Sequence, residues 1–130
     1  MFASVMAAAV STLSFNLDCT GTRVMDTWEG LKRTPISSTE VQAKLRVDLV
    51  AKLWCSGECT ETSPLAKVTD GFIVFQKASS DDNTSYMMVN RRTGKFTDFE
   101  KTNLSKSLMV TSTEGTCQLR LFGGFPLRKF

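Results

Sequence analysis

The sequence predicts an all-β domain, a small antiparallel meander forming a barrel or sandwich and held by disulfides. Three observations carry this. One long segment alternates apolar and polar residues with period two. Short apolar segments follow it at near-regular spacing, with turn residues between them. Four cysteines occur with no histidine in a chain of 130 residues, which reads as a disulfide framework.

In chain order, the opening "MFASVMAAAVSTLSFNL" carries no charge before Asp18. Its apolar run has the length of an export signal and is too short to span a bilayer, so no transmembrane segment is expected. Residues 1–14 read as a signal peptide ahead of a single β domain over 15–130; the competing reading is a native N-terminal helix or strand. The stretch from Gly21 to Glu40 has no clear period. It is compatible with a long loop, a short helix across a barrel mouth, or a strand around Thr22 to Met25.

The periodic segment is "VQAKLRVDLVAKLW". Val41, Ala43, Leu45, Val47, Leu49, Ala51 and Leu53 share one face; Gln42, Lys44, Arg46, Asp48 and Lys52 share the other. A helix would scatter the same residues round its circumference, because positions two apart lie about 200° round the axis. A single strand of this length would run on the order of 46 Å, so a bulge or turn is expected near Val50 to Lys52.

Beyond it, "GFIVFQK" at 71–77 is apolar on both faces and reads as a central strand. "TSYMMVN" leads through "RRTG" into "KFTDFEK", a hairpin in which Gly94 supplies the positive φ. "SLMVTST" and "TCQLRLF" are separated by Glu114 and Gly115, which reads as another hairpin. Nothing repeats, and no linker divides the domain.

The alternation also assigns the cysteines. Phe15, Leu17 and Cys19 share a face, and so do Cys117, Leu119 and Leu121. If the first and last strands are neighbours, Cys19 and Cys117 meet across them. Closing a loop of about 98 residues stabilises by roughly 4–5 kcal/mol in the chain-entropy account. Cys55 and Cys59 are then left for each other, in a ring around Gly57 that contributes only about 2 kcal/mol and shapes a loop. Zinc would want closely spaced thiolate pairs or histidines. A catalytic dithiol would want two intervening residues at a helix start. Neither pattern is present.

These motifs carry a resemblance. "RVDLVAKLWCSGEC", "VNRRTGK", "GTC" and "FGGFP" resemble, in patches from about Phe15 to Pro126, a family of small exported proteins of Gram-negative bacteria, chiefly alphaproteobacteria. The most specific element is Asp48, Leu49, Trp54, Cys55 and Cys59. The resemblance implies export and a shared fold; it implies no activity.

Function classes narrow by exclusion. A net charge of +3, scattered along the chain, lacks the dense basic face that nucleic acid requires. The absence of histidine removes the commonest general base and metal ligand, and no cofactor or metal is expected. Asp81 with Asp82 reads as a solvated turn, and Asp98 with Glu100 as an exposed strand face. Ser105, Lys106 and Ser107 do not form a dyad if they lie on a strand, since neighbours there point to opposite faces.

The exposed features are the loop Ser56 to Pro64 and the basic hairpin tip of Arg91, Arg92 and Lys95. Such a tip can grip a carboxylate, a phosphate or an acidic groove. The tail "LFGGFPLRKF" is most simply explained by Phe122 and Phe125 packing over the barrel end. The sequence therefore predicts a non-enzymatic exported binding or interaction module; it does not itself identify the partner, an envelope protein being one candidate. Two alternatives are an envelope inhibitor of a lysozyme or protease, and a carrier of a small apolar ligand in a cavity lined by Val47, Phe72, Val74 and Met87. Nine phenylalanines and six methionines predict a filled interior, with no pocket above about 300 Å³.

Overall fold

The computed structural model describes residues 13–126, and among these there is no helix. Nine strands form a single antiparallel sheet: β1 Ser14–Glu29, β2 Lys32–Asp48, β3 Leu53–Ser56, β4 Ser63–Pro64, β5 Lys67–Val68, β6 Phe72–Ser79, β7 Asn83–Asn90, β8 Lys95–Asn103 and β9 Leu108–Arg120. Their order across the sheet is β4-β3-β2-β1-β9-β8-β7-β6-β5. Every neighbouring pair is thus a hairpin partner except β1 and β9, the first and last strands, which pair from Asn16↔Arg120 to Trp28↔Leu108. The meander joins where β1 meets β9 and stays open between β4 and β5. Only Leu65 and Ala66 separate those two strands: Leu65 N–H donates to Lys52 O on the β3 side, and Ala66 N–H to Val74 O on the β6 side. The result is a curled half-barrel rather than a sandwich.

The core occupies the curled end. Phe15 and Leu17 of β1, Leu45 and Val47 of β2, Trp54 of β3, Ile73 and Phe75 of β6, Val89 of β7 and Phe96 of β8 are all buried there. Trp54 meets Phe75 edge to face at 5.3 Å, across the concave interior from strands near opposite edges. Away from this end β1 and β2 continue as a long hairpin, and Lys32–Glu40 is exposed at every position.

Several expectations are corrected. Of the three readings of Gly21 to Glu40, the strand around Thr22 to Met25 is present, as part of β1, while the long loop and the short helix are not; the stretch is most of the β1–β2 hairpin, turning at Gly30. Pro35 is accommodated because β3 pairs only with Leu45–Asp48, so β2 there is an edge, and the register slips beside it between Met25 and Asp26. Glu114 and Gly115 do not turn the chain. Leu108–Arg120 is one continuous strand, and Gly115 is glycine because β1 passes too close for a side chain. The segment at 71–77 is not central, since only the two-residue β5 lies outside β6. Ile73 and Phe75 point inward, whereas Phe72 is 41% exposed and Val74 half-buried. The turn expected near Val50 to Lys52 is present, with Lys52 at φ 57° and the Asp48 carboxylate accepting from the amides of Val50 and Ala51.

Both disulfides are as paired from the sequence: Cys19 to Cys117 and Cys55 to Cys59, with no free thiol among the described residues. Of the expected signal segment, residues 1–12 lie outside the described residues. Leu13 and Ser14 belong to the sheet region, Leu13 O accepting from Leu49 N–H and Ser14 pairing with Asp48.

Candidate functional site

The basic hairpin tip stands over a cleft. β7 ends and β8 begins around a turn at Asn90–Gly94. The Asn90 side-chain oxygen accepts from the amides of Arg92 and Thr93, and Gly94 N–H closes on Asn90 O. Gly94 has φ 75°, and a Cβ there would come within 2.9 Å of Cys117 O, so both conformation and space require glycine. The turn is tied on either side. Cys117 N–H donates to Gly94 O, and Arg91 N–H donates to Gly71 O.

Below the turn the strands part. β8 pairs with β9 only as far as Lys95↔Thr116, while Cys117–Arg120 continue along β1 alone. That divergence opens a half-open wedge of about 330 Å³ at the mouth of the half-barrel. Its floor is apolar: Phe15, Leu17, Ile73 and Val89, with Cys117 and Leu119 on one wall. Arg91 and Arg92 form the opposite lip. The volume is above the 300 Å³ ceiling expected from the sequence because composition reports how well the interior fills, not where two strands separate. The interior itself is filled, with Leu45, Val47, Ile73 and Phe75 essentially without exposure. Val47 and Met87 of the imagined carrier cavity are core, and Phe72 and Val74 lie outside it.

The two arginines differ. Arg91 donates through Nη1 to Thr69 O at 2.8 Å, which fixes its guanidinium at the lip. Among the described residues the Arg92 guanidinium has no hydrogen-bond or ion-pair partner, and none with an acidic side chain lines the cleft. Lys95, grouped with them from sequence, does not line the cleft; it pairs with Thr116 at the start of β8. Leu119, expected to face the interior with Cys117, is 47% exposed because β9 has no β8 neighbour at that point.

A second polar group lies farther up the concave face. Phe96 is buried in the core, and two and four residues on, Asp98 and Glu100 follow on the same face of β8. Thr113, opposite Asp98, is buried and accepts a hydrogen bond from Arg23 Nε at 3.3 Å. Burial pushes the Asp98 carboxyl above its usual range, Arg23 pulls it back, and Glu100 pushes it up again. The pair is therefore less exposed at Asp98 than the sequence suggested, and Arg23, which sequence reasoning did not single out, is its charged neighbour. Asp81 and Asp82 form the β6–β7 turn, their carbonyls accepting from Asn103. Ser105, Lys106 and Ser107 form the β8–β9 turn and not a strand, closed by Leu104 N–H to Ser107 O.

The tail runs over the outer face of β1 and β2. Gly123 N–H donates to Asn16 Oδ1 and Arg46 Nη1 to Gly124 O, with Phe122 and Phe125 edge to face at 5.1 Å. Arg128 and Lys129 lie outside the described residues.

Comparison with known proteins finds no match to a protein-family model, to a curated protein or to a solved structure.

Proposed function

We propose that this is a non-enzymatic exported domain, periplasmic or secreted, that binds its partner at the cleft beside the Asn90–Gly94 turn. Two disulfides fit an oxidising compartment, since thiols in the bacterial cytoplasm are kept reduced. The resemblance to exported bacterial proteins and the apolar opening of the chain support the same address. The observation that carries the site is the juxtaposition of two exposed guanidinium groups with an apolar wedge open to solvent. A few convergent polar groups over an apolar floor are the usual make-up of a binding pocket.

A carrier holding its ligand fully enclosed is less well supported, because the interior is filled and the wedge is open on one side. The test is amide hydrogen exchange on the oxidised protein with and without cell-envelope extract. Slower exchange at Arg91–Lys95 and Leu119 is the expected result. Protection confined to the Ser56–Pro64 loop would move the site, and favour an inhibitor that presents that loop.

A further inference from the structure

We infer that the cleft takes an anionic amphiphile: an unbranched apolar chain of about ten carbons ending in a carboxylate or phosphate. The inference rests on the reading of the cleft as the binding site and adds its ligand class.

Charge selects one end of the ligand. Arg91 is held at the lip by its bond to Thr69 O; among the described residues its remaining donors have no partner, and neither has the Arg92 side chain. Two guanidinium groups without a lining carboxylate favour an anion, and their planar forks match carboxylate and phosphate oxygens. Since both are exposed, the attraction is screened by salt.

The floor selects the other end. Phe15, Leu17, Ile73 and Val89 present hydrocarbon, and Leu119 leaves an apolar flank to water that a bound chain would cover. A volume of 330 Å³ holds on the order of ten methylene-sized groups, taking each near the roughly 30 Å³ share of a water molecule. A sterol or a two-chain lipid would not fit within it. A single medium chain would, with its charged end at the arginine lip.

The experiment uses the oxidised protein and a series of ligands below their micellar concentrations, followed by calorimetry and by amide chemical shifts. Affinity for saturated carboxylates is expected to rise about fourfold per methylene up to about ten carbons and then level off. Decanoate or decyl phosphate should bind at least about tenfold more tightly than decanol or decyltrimethylammonium, and shift the amides of Arg91–Lys95. Preference between decanoate and decyl phosphate separates a free fatty acid from a phospholipid-type headgroup. The R91A/R92A double substitution should weaken decanoate about tenfold, leave decanol unchanged and lower the thermal midpoint by no more than a few degrees, from loss of the exposed Arg91 bond to Thr69 O. Leu119→Asp should abolish binding of both anions.

Equal affinity for decanol and decanoate, no dependence on chain length, or shifts confined to other strands would overturn the inference. If none of these ligands bound while envelope extract still protected the turn, the ligand class would fall and the binding-module reading would stand. If the turn were protected by neither, both would fall.

Discussion

Gly115 of β9 faces Gly21 of β1 across the middle of the sheet, so closely that a methyl group on either would collide with the main chain of the other strand. Two residues along, Cys19 faces Cys117 with their Cα atoms 3.9 Å apart. The glycine pair and the disulfide together draw first and last strands into contact. Gly115→Ala should therefore cost on the order of 3 kcal/mol and lower the thermal midpoint by roughly 10 °C, because the obstacle is backbone and cannot rotate away. Gly71→Ala, with nothing near its Cβ direction, should change stability by less than about 0.5 kcal/mol. Equal effects of the two would show that the close approach is not real.

The two bridges should contribute unequally. Replacing Cys19 and Cys117 by alanine opens a loop of 98 residues and should cost about 4–5 kcal/mol, whereas replacing Cys55 and Cys59 should cost about 2 kcal/mol. Urea midpoints of the two double variants give the order. Unfolded but unreduced protein should take up no alkylating reagent, since the described residues contain no free thiol.

Asp98 should make stability fall as pH rises from the acid side. Burial raises its carboxyl above the usual value of 3.8, with Arg23 opposing and Glu100 adding to the rise. The folded chain then holds this proton more tightly than the unfolded chain. The resulting stabilisation is complete below the unfolded-state pKa and is lost as pH climbs through the folded one. Relative to wild type, Asp98→Asn should gain stability as pH climbs from below the usual value of 3.8 through the raised folded-state value, and level off above it. A difference in urea midpoint that stays constant over that range, or grows the other way, would count against this account of Asp98.

Trp54 should matter for its hydrocarbon and not for its indole N–H. It is buried against Phe75, and its Nε1 has no hydrogen-bond partner among the described residues. Trp54→Phe is expected to cost less than about 1.5 kcal/mol, because no hydrogen bond is lost. Trp54→Ala should cost about 3–5 kcal/mol, because β3 and β6 lose the contact that spans the interior. Chemical denaturation distinguishes the two.

The strands that pack the core were legible because one face of each is buried. Phe15, Leu17 and Cys19, then Leu45 and Val47, alternate with polar residues, and a slip of one position would turn the whole set outward. The disulfide pairing followed from the same alternation. Gly21 to Glu40 was illegible for the converse reason: Lys32–Glu40 is exposed throughout, so no period of two is imposed on it. Glu114 and Gly115 misled because a glycine between two apolar runs has the same appearance whether it turns the chain or lets another backbone pass.

Of the site, the sequence showed the arginines and the glycine of the turn but not what they overhang. Composition and alternation alone determined an all-β, doubly bridged domain and the identity of its bridges, since these depend on which residues face inward along each strand. Only tertiary structure decided that the barrel stays open between β4 and β5, that Arg23 stands near Asp98, and that β9 outruns β8 to leave an apolar wedge beneath Arg91 and Arg92. Those features arise from where strands of unequal length begin and end beside one another, and no local pattern of residues records that.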